Sequence, residues 1–144
     1  MGRVVRIFKS YFSLPVWVQI WVAFILAPAN FAGLWMMDLQ IGYWTGLTAL
    51  VVIGSNTVLM AMNGGLSKVL AIPHLIFWIP LHGYIVWRLF FQEGGPAIGS
   101  TEYVYGLIVL VVNTISLLFD VYDTGEWAKG KKGIAGFPDV KPVV

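Results

Sequence analysis

His74 and His82 are the only two histidines in the chain, and each stands inside a long apolar stretch. Neutral imidazole can ligate haem iron or another metal, and it can relay protons near physiological pH. On one helix the pair would sit about 12 Å apart along the axis. That separation forbids both from binding one haem iron. A haem at either histidine would need its second axial ligand from a methionine or another subunit. No carboxylate is expected at the depth of either histidine, which argues against a bound metal. The expectation is a buried imidazole hydrogen-bonded to Asn or Ser, with no cofactor; a haem or quinone held at His74 or His82 is the alternative.

Gln19, Asn30, Asn56 and Asn113 also lie in apolar surroundings, and Arg88 and Glu102 flank one loop. Amide side chains in such surroundings most often link helices, at about 0.6 kcal/mol per hydrogen bond on average. Arg88 and Glu102 are expected to form an ion pair. Nucleophilic chemistry finds no support. Cysteine is absent, no Ser, His and Asp share a depth, and Asn63-Gly64-Gly65 is too short to cradle a nucleotide. The chain is therefore expected not to be an enzyme.

The composition identifies the elements that must hold these residues. Of 144 residues, 58% are hydrophobic and only 11% charged, against roughly 25% charged in soluble domains. Mean hydropathy is +0.80. A soluble fold of this size could not hide so much apolar surface, whereas a bilayer accepts it. The seven Trp, six Tyr and nine Phe suit a membrane protein, where such rings gather at the headgroup level. About 20 residues cross a hydrocarbon core of about 30 Å, so four crossings use most of the chain. One transmembrane domain, residues 1–121, is expected, followed by a basic cytoplasmic tail, 122–144, mobile beyond its first turns.

Residues 2–12 carry Arg3, Arg6 and Lys9 among Val, Ile and aromatic residues, the pattern of a short amphipathic helix lying in the interface or of a simple positive flank. The spans are expected at about 14–37, 41–62, 69–91 and 101–119. Pro28 should kink span one or loosen its backbone hydrogen bonding. Ala27-Pro28-Ala29 imitates a signal-peptidase site, but the apolar run continues to Met37 and the span is expected to be retained.

Within each span the small and polar residues share a stripe. Gln19, Ala23, Leu26, Asn30, Gly33 and Met37 alternate at steps of three and four. So do Gly42, Gly46, Ala49, Ile53, Asn56, Met60 and Asn63, and again Glu102, Gly106, Val109, Asn113, Ser116 and Asp120. At about 100° per residue each set stays on one face, as membrane helix packing favours. Gly42-x-x-x-Gly46 adds a close-approach site. Depth along the helices predicts a central layer of His82, Asn113 and Asn30, an inner layer of His74, Asn56 and Gln19, and an outer Arg88–Glu102 pair. The expected fold is an all-α, four-helix up-down membrane bundle with an interfacial N-terminal helix, its stripes facing inward or toward a second subunit.

Three basic residues precede span one, Lys68 lies in the second loop, and four lysines follow span four. Only Arg88 dissents. The positive-inside rule places both termini in the cytoplasm, and a bacterial inner membrane is the expected location. Basic flanks favour anionic lipids and give no footing for nucleic acid. The leading functional expectation is a non-catalytic accessory or assembly subunit of a membrane complex or homo-oligomer. A small oligomeric transporter or channel built on the His82 layer is the runner-up, since four helices alone should enclose little lumen.

Overall fold

The computed structural model describes residues 2–144. It is all-helical, with no strand among the described residues. Four helices are long and apolar enough to cross a membrane: Val16–Trp35 (span one), Gln40–Asn63 (span two), Lys68–Phe90 (span three) and Thr101–Ala128 (span four). A separate N-terminal helix runs from Arg3 to Phe12.

Span four extends nine residues past the expected end at Phe119. No proline interrupts the sequence DVYDTGEWA, and the first glycine there with a left-handed backbone is Gly130, at φ 91°. The chain leaves the helix at that point. Span one is the irregular element. Pro28 has no N–H to give to the preceding turn, and its ring crowds the carbonyl four residues back. The turn before it, Trp21–Leu26, is π-helical, and the helix closes as a tight 3-10 turn over Ala32–Trp35. The wider π turn shifts the buried stripe: Ala23 is exposed while Trp21 and Val22 are half-buried.

Glycines bring spans one and two into backbone contact. A Cβ on Gly33 would lie 2.6 Å from the Gly42 oxygen and the Gly46 nitrogen, and one on Gly46 would lie 3.0 Å from the Gly33 carbonyl carbon. A Cβ on Gly42 would run into the Met36 carbonyl. The G-x-x-x-G pair therefore serves packing within the chain, so it offers no close-approach site to a second subunit. Ile41, Val52, Trp78, Leu81, Ile85, Tyr105 and Val109 form the buried core of spans two, three and four.

One end of the bundle, here the terminal end, gathers the N-terminal helix, the loop after span two and the C-terminal segment. Arg6 Nε donates to the Gly64 oxygen at 2.6 Å. The fully buried Ser10 accepts from the Leu66 N–H through Oγ at 3.0 Å. The C-terminal segment is not the loose tail expected. Ala135 N–H bonds the Leu66 oxygen, Ile134 is buried, and Asn63 Oδ1 accepts from the N–H groups of Val143 and Val144 at 2.9 and 3.1 Å. Composition suggested mobility because the segment is rich in Lys and Gly. The structure anchors it through one apolar side chain and through backbone bonds that composition does not report.

Candidate ligand-binding cavity

At the terminal end span one stands away from the rest of the bundle. The backbone of its first turns, Val16–Ile20, approaches that of the N-terminal helix and of its own continuation, but not that of the other spans. Long side chains bridge the gap to span four. Trp17 meets Phe119 at 5.7 Å between ring centroids, and Trp21 Nε1 donates to Ser116 Oγ at 3.1 Å. Span one is thus a wedge, closed by glycines at one end and propped open by tryptophans at the other.

The wedge borders a partly open cavity of about 930 Å³, near the top of the range for small-molecule sites. Val18, Val22 and Leu26 line one wall, and Val52, Met60 and Trp78 line the facing wall. Ile7, Tyr11 and Ile134 contribute from the N-terminal helix and the folded-back C-terminal segment.

The polar centre of this cavity is His74. Its Nε2 lies 3.1 Å from Asn56 Nδ2 and its Nδ1 lies 3.1 Å from Asp120 Oδ1. Trp78 stacks on the ring at 4.3 Å and 9°. The amide donates to Nε2, so the imidazole proton sits on Nδ1 and is donated to Asp120. Asp120 corrects the expectation that no carboxylate shares a histidine's depth. That expectation placed Asp120 at the last turn of a span ending at Phe119. It is eight residues before the true end at Ala128, while His74 is six residues after Lys68; the two levels agree within about 3 Å. The continuing stripe through Ser116 and Asp120 was the signal in the sequence.

The structure brings His74 and Asn56 together, but Gln19 is elsewhere. Its side-chain amide donates to the carbonyls of Leu14 and Phe12 at 2.8 and 3.2 Å. The break at Ser13–Pro15 leaves those carbonyls without helical donors, and Gln19 is near in sequence to supply one.

The central layer also divides. Asn30 Nδ2 donates to Asn113 Oδ1 at 2.7 Å, and Asn113 Nδ2 donates back to Asn30 Oδ1 at 3.0 Å. Both are buried, and Asn30 lines the upper cavity. His82 does not join them. It faces Thr114 on the outer side of spans three and four, with Nε2 at 2.8 Å from Thr114 Oγ1. Thr114 gives its own proton to the Leu110 carbonyl, so His82 is the donor. Depth placed His82 at the right level, but its azimuth on span three differs from that of Leu81, which takes the core position. The three-residue layer on which a channel would rest is therefore absent.

Replacing Asn113 by Leu leaves Asn30 Oδ1 without a donor in an apolar site, while Asn30 Nδ2 keeps its bond to the Leu26 carbonyl. This should cost about 1–2 kcal/mol. The double variant Asn30→Leu with Asn113→Leu should cost less than the sum of the two single changes. A double-mutant cycle by reversible unfolding in mixed micelles measures the coupling, and strict additivity would rule the pair out as a unit.

At the opposite end, Arg88 grips Glu102 with two bonds, Nε to Oε1 at 2.6 Å and Nη2 to Oε2 at 3.0 Å. Arg88 also donates to Gln92 Oε1 at 2.9 Å. Glu102 Oε1 accepts the Ile41 N–H at 3.1 Å, capping the start of span two. Gly42 and Gly46 sit just below, against span one.

No protein-family model, curated protein or solved structure matches this chain. The residues and their geometry alone carry the functional reading.

Proposed function

We propose that this chain is a multi-pass membrane protein that holds a lipid-soluble small molecule in the cavity between span one and the rest of the bundle, and does so as a non-catalytic binding or accessory component. The carrying observation is the cavity itself, apolar walls converging on the His74–Asp120–Asn56 set. Binding sites have this composition: mostly apolar lining with a few placed polar groups. The exterior supports lipid as the surrounding solvent. Trp35, Phe24 and Leu118 are 81%, 75% and 69% exposed, a surface that water would not tolerate over four helices.

The bundle is read as up-down, with both termini in the cytoplasm of a bacterial cell. Arg3, Arg6, Lys9, Lys68 and the lysines after span four all belong to the terminal end, which fits the positive-inside rule. Arg88, the one dissenting charge, is bound to Glu102. The exposed Val4, Phe8 and Phe12 of the N-terminal helix suit an interfacial position over anionic headgroups. A haem iron at His74 would have to displace Asn56 from Nε2, so an organic amphiphile fits the site better.

Purification in mild detergent followed by native mass spectrometry tests the proposal. The expected mass exceeds that of the polypeptide by a small molecule, alone or within an oligomer or complex. Val22→Trp, which fills the cavity, should abolish the increment. A bare, stable monomer that carries no mass beyond its polypeptide in either form would defeat the proposal.

A further inference from the structure

Around the cavity one carboxylate has no lysine or arginine beside it. Lys68 Nζ lies 2.7 Å from Asp123 Oδ1, and Lys129 and Lys131 both bind Glu126. Asp120 meets no Lys or Arg among the described residues. Its side chain is 13% exposed, and its one hydrogen-bond partner is His74, through Nδ1. Its Oδ2 is buried with no hydrogen-bond partner. On the other side of the same imidazole, Asn56 is nine-tenths buried, donates to Nε2, and has an Oδ1 that is likewise buried and unpartnered. Two orphan acceptors therefore flank His74 in a cavity whose wall is mostly apolar and whose other charged groups are paired, Lys68 with Asp123 and Lys131 with Glu126. A buried carboxylate in such a place is costly until a cation meets it.

We infer that the cavity takes an amphiphile with an apolar body and a primary or secondary ammonium head. This rests on the cavity holding a lipid-soluble molecule, as proposed above, and specifies its chemistry. An ammonium carries the N–H donors that the Asp120 and Asn56 oxygens lack, together with a positive charge that suits a carboxylate. A hydroxyl head supplies donors without charge. A quaternary ammonium supplies charge without donors. A carboxylate or phosphate head is repelled by Asp120. Charge-assisted hydrogen bonds are about twice as strong as neutral ones, so the head should dominate selectivity among equal tails.

Four probes with one tail length decide the matter: decylamine, decyltrimethylammonium, decanol and decanoate. Their binding to the purified protein is measured in one detergent, with partition into empty micelles subtracted. Decylamine should bind about tenfold more tightly than decanol or the quaternary ion, and decanoate most weakly. Asp120→Asn keeps the shape of the side chain. It should lower decylamine affinity about tenfold, to the level of decanol, and change decanol binding far less. Equal binding of all four heads, or an Asp120→Asn variant that binds decylamine as well as the parent, would overturn the inference while leaving the cavity as a lipid site. If no probe binds with any head, the proposed function falls as well. Should Asp120→Asn fail to fold, the head series on the unaltered protein still decides.

Discussion

Glu102→Gln should destabilise the folded protein by about 3–5 kcal/mol, the range for removing one partner of a buried ion pair. The carboxylate is 11% exposed and the guanidinium 14%, so water screens the pair little. Loss of the negative charge leaves Arg88 buried and uncompensated. It also weakens the acceptor for the Ile41 N–H, one of the donors that the start of span two leaves free. The effect should therefore exceed that of a surface pair, which contributes about 0–1 kcal/mol. Reversible unfolding in mixed micelles measures it. Replacing both residues, Arg88→Met with Glu102→Leu, should restore much of the loss, because no orphan charge remains. A Glu102→Gln variant within about 1 kcal/mol of the parent would show that the pair is solvated in the working protein.

Gly42→Ala should cost about 3 kcal/mol, the upper part of the range for overpacking. The added methyl would meet the backbone carbonyl of Met36, and a methyl on Gly33 would meet backbone atoms of span two. Backbone obstacles cannot rotate away, so the 3-10 end of span one would have to lift. Gly54 and Gly83 are the internal controls, since a Cβ at either meets nothing within 4 Å. Alanine there removes glycine's entropy cost in a helix and should stabilise by about 0.5–1 kcal/mol. Opposite signs for Gly42→Ala and Gly54→Ala separate close packing from simple helix propensity. If both variants stabilise, spans one and two are not in backbone contact. The same displacement should widen the wedge and weaken ligand retention, linking the glycine end to the cavity.

Much of this arrangement was legible in the residues. Hydropathy located the four helices within a few residues at every end but the last of span four, because a long apolar run has few other stable fates. The three-four stripes marked the buried faces of spans two and four, since that period is a property of the helix. The same reasoning placed Arg88 with Glu102 and Asn56 with His74, which lie at matching depths on neighbouring helices. It failed where depth was trusted without azimuth, as with His82 and Thr114. It failed again where a helix end was set by hydropathy alone, as with span four and Asp120.

Linear order and side-chain period thus determined which segments are helices, which faces of spans two and four are turned inward, and that Arg88 lies level with Glu102 and Asn56 with His74. The tertiary structure alone decided that span one leans away at one end, because the lean arises from three distant causes acting together: Pro28 with its π turn, the Gly33–Gly42–Gly46 contact, and the Trp17 and Trp21 props against span four. A cavity is a property of the space between elements, and no single helix encodes it. For the same physical reason the pairing of Asp120 with His74, forty-six residues apart, and the anchoring of the C-terminal segment on Asn63 and Leu66, came into view only once the chain was folded.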